Sequence, residues 1–114
     1  MPKLISQKNF KNIITSNLTT SSTNQIALDI FSKGSYRSAK YQIQIERESS
    51  YHTTEISLIH DGTNVYVTEY GTITSNGILG TFDCDILSLN VRLLVTPNSA
   101  TSTTFKLIKT VITL

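Results

Sequence analysis

The chain has 114 residues, a formal net charge of +2, a single cysteine and no tryptophan. This length holds one domain, burying roughly two-thirds of its unfolded surface in a single core. Scattered lysines and arginines exclude the gathered basic face of a nucleic-acid binder, one cysteine excludes an intrachain disulfide, and no apolar run approaches the roughly 20 residues of a membrane span.

Residues 1–20 are polar, with isolated apolar side chains at Leu4, Ile5, Phe10, Ile13, Ile14 and Leu18. They fit neither structural period. Phe10, Ile13 and Ile14 would share the face of one helical turn, and an extended arm lying on a neighbour is an equal alternative. Met1 to Lys8 lacks the apolar core of a secretory signal. The expectation is a protein made in soluble form in a host cytoplasm and released by lysis. Asn17-Leu18-Thr19 matches the glycosylation sequon, but chance explains it in a chain with 31 Ser and Thr. Ser21 to Asn24 reads as a break, so 1–20 is an N-terminal arm or extension and 21–114 is the domain.

The domain opens with a strand from Gln25 to Phe31, with Ile26, Leu28 and Ile30 on one face. Lys33-Gly34-Ser35 turns the chain. Tyr36 to Arg47 then alternates Ala39, Tyr41, Ile43 and Ile45 against Lys40, Gln42, Gln44 and Glu46. That is the pattern of an antiparallel sheet with one wet face. After Glu48-Ser49-Ser50, the next strand runs from Thr53 to His60, with Ile56 and Leu58 inward and Glu55, Ser57 and Ile59 outward. Asp61-Gly62 signals a hairpin, because Gly supplies the positive φ of a tight turn. Asn64 to Tyr70 is the returning partner. Gly71 and Ser75-Asn76-Gly77 mark the next loop, with room for a short strand between them.

Ile78 to Ile86 sets Phe82, Cys84 and Ile86 inward and Thr81, Asp83 and Asp85 outward. Leu89, Val91, Leu93 and Val95 form the inner face of the next strand, which Pro97 stops. Thr103 to Leu114 is a long last strand. Lys106 points outward, and the apolar pairs Leu107-Ile108 and Val111-Ile112 imply that both of its faces are partly covered. Seven or eight such strands, with no helical segment between them, predict an antiparallel two-sheet sandwich or jelly roll. The 14 isoleucines, 5 valines and abundant threonine suit pleated, half-buried surfaces.

No catalytic constellation emerges. Cys84 with His60 or His52 would make a Cys–His nucleophile, but Cys84 shares its face with Phe82 and Ile86 and reads as a small buried hydrophobe. Two lone histidines fall short of a metal site. His60, beside the hairpin, is better read as bonding the turn backbone. Asp83 and Asp85 are a weak calcium pair and the stronger mark of a wet strand face. Glu55 and Glu69 on neighbouring strands rank no higher. Arg37 and Lys40 fall on opposite faces of a regular strand and form no joint anion clamp. Arg92 is placed to pair with Asp83 or Asp85 across strands. Tyr36, Tyr41, Tyr51, Tyr66 and Tyr70 are core and sheet-edge residues first; any left exposed would stack on sugars or a partner protein. No catalytic, cofactor-binding or metal-ligating residue is assigned.

Six phrases recur in order: Tyr36-Arg37-Ser38-Ala39-Lys40-Tyr41, Ile59-His60-Asp61-Gly62, Thr68-Glu69-Tyr70-Gly71, Leu79-Gly80-Thr81-Phe82, Leu94-Val95-Thr96-Pro97 and Ser99-Ala100-Thr101-Ser102-Thr103. Over Gln25 to Thr110 the chain resembles the small β-domains of virion structural proteins of tailed bacteriophages, especially those of marine cyanobacteria. The resemblance implies a non-enzymatic component of the particle surface that works through protein–protein contacts. Because the module fills nearly the whole chain, a capsid decoration (cement) protein is the leading expectation. A tail- or fibre-associated receptor- or carbohydrate-binding module is the alternative. Its expected partners are major capsid or tail proteins and further copies of itself, as a homotrimer, with neither nucleic acid nor membrane. The residues expected at an interface are Phe10, Ile13 and Ile14 on the arm and Tyr36, Arg37, Tyr51 and Tyr66 on the domain.

Overall fold

The structure, a computed structural model, describes residues 13–114. They form eight strands: β1 (Ile13–Thr20), β2 (Ile26–Ser32), β3 (Tyr36–Arg47), β4 (Ser50–His60), β5 (Val65–Thr74), β6 (Gly80–Leu87), β7 (Asn90–Pro97) and β8 (Thr103–Thr113). One sheet has the order β1-β8-β3-β4-β5 and the other β2-β7-β6, with every paired neighbour antiparallel. This is the expected all-β sandwich. β3, β4 and β5 form a meander and β6–β7 a hairpin, while β8 returns to lie between β1 and β3.

The segment read as an arm divides. Residues 13–20 are an edge strand of the larger sheet, in continuous register with β8 from Ile13↔Thr110 to Thr20↔Thr103. Ile13 and Ile14 therefore sit on extended backbone and not on a helical turn. Phe10 lies outside the described residues.

The core joins the inner faces of both sheets. β3 contributes Ala39, Tyr41, Ile43 and Ile45, β4 Ile56 and Leu58, β7 Val91, Leu93 and Val95, and β8 Phe105, Leu107 and Val111. These inward positions follow the two-residue alternation of the sequence. Each full-sized side chain among them contributes roughly 1.5–3 kcal/mol by leaving water. Phe82, Cys84 and Ile86 of β6 pack against this core, half-buried.

Alternation fails where the backbone changes register. The β2–β7 pairing shifts between Ala27 and Asp29, leaving Leu28 as the extra residue. Past such a bulge, every later side chain changes face. Leu28 stays in the core, but Ile30, expected beside it, is 51% exposed. Asp29 and Phe31 turn inward in its place, paired with the buried Leu93 and Val91. Gly71, expected in a loop, instead lies inside β5 at φ 68°, where the β4–β5 register shifts. In β8 the outer apolar residues are not covered: Ile112 is 68% exposed. Leu89 belongs to a turn rather than to the inner face of β7.

The inward Asp29 builds a polar tie between the sheets. Its Oδ2 accepts a hydrogen bond from the Tyr41 hydroxyl at 2.6 Å and an ion pair from Lys109 Nζ at 2.9 Å. The Lys109 side chain is only 6% exposed, and its ammonium lies 5.6 Å from the centre of the Phe31 ring. Burial and the Asp29 charge push the Tyr41 hydroxyl far above its usual range. At the C-terminal end of β3, buried Arg47 donates to Thr103 Oγ1 (2.7 Å), Asn98 Oδ1 (2.7 Å) and the Leu79 carbonyl (2.9 Å). It thereby fastens the loops before β6 and after β7.

Two tight turns carry backbone strain. Arg47 faces Ser50 across Glu48-Ser49, and Leu87 faces Asn90 across Ser88-Leu89. The first central residue of each has positive φ, 53° at Glu48 and 57° at Ser88. Glycine takes that conformation without a Cβ penalty.

Two stability predictions follow from the tie and the turns. Asp29→Ala strands the Lys109 charge in the core and costs about 3–5 kcal/mol, whereas Asp29→Leu combined with Lys109→Met recovers most of it; urea unfolding checks both. Glu48→Gly and Ser88→Gly each stabilise by about 0.5–1 kcal/mol, measured as a rise in Tm.

Candidate binding face

The larger sheet has five strands and the smaller three, so only one face of the larger sheet is used for the core. Its other face looks outward. Register places Thr15, Asn17 and Thr19 of β1, Lys106 and Ile108 of β8, Lys40, Gln42, Gln44 and Glu46 of β3, Tyr51, Thr53, Glu55 and Ile59 of β4, and Tyr66, Tyr70 and Ile73 of β5 on it. Threonine and isoleucine favour this pleated surface whichever side they occupy.

Tyr51 and Tyr66 are 50% and 55% exposed on this face, and Tyr70 is also exposed. The Tyr66 hydroxyl donates to Asp61 Oδ2 at 3.1 Å. Charge on the face is balanced: Lys40 lies 3.7 Å from Glu55 and Lys106 lies 3.7 Å from Glu46. Two shallow depressions cross the strands. One, of about 400 Å³, runs over β1, β8, β3 and β4 past Asn17, Gln42 and Lys106. The other, of about 410 Å³, continues over β4 and β5 past Tyr51 and Ile73. Gln44 and Thr53 border both.

The residues expected at an interface are not brought together. Tyr51 and Tyr66 share the outer face. Tyr36 is half-buried, its ring edge-on to Phe31 at 6.0 Å. Arg37 is half-buried and donates to the His60 carbonyl at 3.0 Å. Ile14 lies on the edge strand β1 opposite the inward-facing Lys109, and is exposed. Tyr41 is wholly buried. The amide-rich row of Gln42 and Gln44 went unassigned in the sequence, although outward alternation along β3 marks both as solvent-facing.

The candidate chemical residues have structural partners. His60 Nδ1 accepts the Gly62 N–H at 3.0 Å, leaving Nε2–H to donate to the Tyr36 carbonyl at 2.7 Å. This is the turn-bonding role read from sequence. The adjacent loop is closed by Asp61, whose Oδ1 accepts from the backbone of Asn64 (2.7 Å) and Thr63 (2.9 Å), holding its carboxyl below the usual range. Burial, then the charges of Asp83 and Asp85, push the Cys84 thiol up to about 12, so it is protonated at neutral pH. Asp85 meets Arg92 in a two-pronged pair at 2.6 and 2.8 Å, as the strand register expects. Asp83 instead accepts from the Cys84 N–H. Glu55 lies on the outer face beside Lys40, while Glu69 lies on the inner face accepting from Thr54. Among the described residues no group of three or more His, Cys, Asp or Glu could hold a metal ion.

Solved structures with this fold include two tailspikes. The tailspike protein of Acinetobacter baumannii phage AM24 matches with a TM-score of 0.51 at 9% identity, over 94% of this chain and 27% of its own. The tailspike protein of Acinetobacter phage vB_ApiP_P1 matches with a TM-score of 0.53 at 15% identity, over 88% of this chain and 22% of its own. This chain thus spans about a quarter of the length of each tailspike. No protein-family model and no curated protein matches the sequence. At these identities the likeness is one of fold.

His52 sets an acid limit on this architecture. It is 2% exposed, and its Nδ1 accepts the Leu79 N–H at 3.0 Å. Burial lowers its pKa, and the nearby Glu69 charge only partly opposes that. The unfolded ring titrates near 6.5, so between the folded and unfolded values the unfolded chain binds the extra proton. Stability is therefore full above about pH 6.5 and falls as pH drops through the lower folded value. His52→Gln, whose carbonyl can accept the same N–H, should flatten that decline in pH-dependent urea unfolding. The losses tied to Asp61 and Asp85, both held below the usual carboxylate range, belong to a separate window below about pH 4.

Proposed function

We propose that this chain is a non-enzymatic binding module of a phage tail protein, and that it engages a glycan of the host surface through the outer face of its larger sheet. The observation that carries this reading is the exposure of Tyr51, Tyr66 and Tyr70 on one face. A tyrosine offers a flat apolar ring and a hydroxyl at low conformational cost, which suits a sugar ring with its alternating C–H and O–H surfaces. Around the rings lie Gln, Thr and Asn side chains able both to donate and to accept. The site asks for no charge transfer and no nucleophile; adhesion is its whole chemistry.

The two tailspike folds support a tail setting over capsid decoration. Both are tail proteins in which a domain of this shape is a minority of the chain. The same reading extends to assembly: a homotrimer, with neighbouring tail proteins as partners, repeats each weak glycan contact and raises avidity without new contacts. A virion-surface location follows from that role, in line with the resemblance of the sequence phrases to virion β-domains.

The test is an array of bacterial surface glycans probed with the whole chain. The wild-type chain should bind a restricted set. Tyr51→Ala, Tyr66→Ala and Tyr70→Ala combined should abolish that binding with Tm changed by no more than a few degrees. Failure to bind any surface glycan at high protein concentration would falsify the reading.

A further inference from the structure

Resting on that reading, we infer that the ligand is a neutral, hydroxyl-rich oligosaccharide lying across the strands, in the trough where the two depressions meet at Gln44 and Thr53. The two hollows, about 400 and 410 Å³, share those residues as a common border. Together they span from β1 to β5. At the usual strand spacing this is a path of roughly 19 Å, long and shallow as a linear chain requires.

Apart from Lys106, the described residues along the path carry no charge. Gln42 and Gln44 project side by side from alternate positions of β3, and both are exposed. Neither carboxamide is bonded to a described residue, so each offers a carbonyl acceptor and two N–H donors to a ligand. Asn17 adds another amide at one end, and Tyr51 an exposed ring at the other. Among the described residues the one charged group in the trough, Lys106, lies 3.7 Å from Glu46. The remaining charges on the outer face, Lys40 and Glu55, match each other in the same way. A polyanion would find no unmatched cation here among the described residues. Sugar hydroxyls and acetamido groups would find paired donors and acceptors.

Calorimetric titration of the whole chain with neutral and with anionic bacterial oligosaccharides of equal length decides the matter. Neutral ligands should bind, with an affinity that is the same at low and high salt. Gln44→Ala and Tyr51→Ala should each weaken binding roughly 3- to 10-fold, while Ile30→Ala, exposed on the smaller sheet and away from the trough, should leave it within about twofold. Circular dichroism and Tm confirm that each variant stays folded. A preference for anionic ligands that fades with salt would overturn the inference while leaving glycan binding intact. So would neutral-ligand binding that ignores both Gln44→Ala and Tyr51→Ala. Absence of all glycan binding would sink this inference together with the reading it rests on.

Discussion

One carboxylate holds the two sheets in their observed relation. Asp29 comes from the smaller sheet, and its two partners, Tyr41 and Lys109, come from adjacent strands of the larger. Hydrophobic burial is non-directional and would tolerate sliding of one sheet over the other. A short, charge-assisted contact among buried groups tolerates little. Net stability from such a contact is modest, because desolvating both charges offsets most of the attraction. What it supplies is registration. The bulge at Leu28 is what makes this arrangement available, since without the extra residue Asp29 would face water and Ile30 the core.

Much of this fold could be read from alternation. The inward runs of β3 and β4, the Asp61-Gly62 hairpin and a cross-strand partner for Arg92 at Asp83 or Asp85 all follow from a period of two with conventional turn residues; the structure selects Asp85. What escaped was of two kinds. Register changes at Leu28 and Gly71 are invisible to a periodic reading, because a bulge adds a residue without changing composition. Buried charges were passed over for a different reason: Arg47 and Lys109 lie in phase with Ala39–Ile45 and with Phe105–Leu107, yet a cation on an apolar face reads as an error of phase. Both are in fact inward, Arg47 held by three hydrogen bonds and Lys109 by its ion pair with Asp29. A charged residue that keeps perfect step with a hydrophobic face is thus a sign of a polar tie.

The binding face was harder to see because nothing in its residues is unusual. Threonine, glutamine and tyrosine on a wet strand face are what any soluble sheet displays. Their meaning comes from the sandwich's inequality: five strands against three leave a broad surface without a second layer outside it, and lysine–glutamate pairs leave that surface electrically quiet. Only the three-dimensional register shows that Gln44 and Thr53 border both hollows while Tyr51 stands at one end.

The placement of β8 has a consequence for biosynthesis. It is the last of the eight strands in chain order, yet it occupies an interior position, bonded to β1 on one side and β3 on the other. Until it arrives, β1 has no neighbour in its sheet, and Tyr41 and Asp29 wait for the lysine that completes them. Nascent chains must therefore remain open along the β3 edge until β8 emerges, and closure of the larger sheet comes as one long-range event. A nonsense codon or a protease cut just ahead of Thr103 would remove the keystone of the larger sheet, not its fringe.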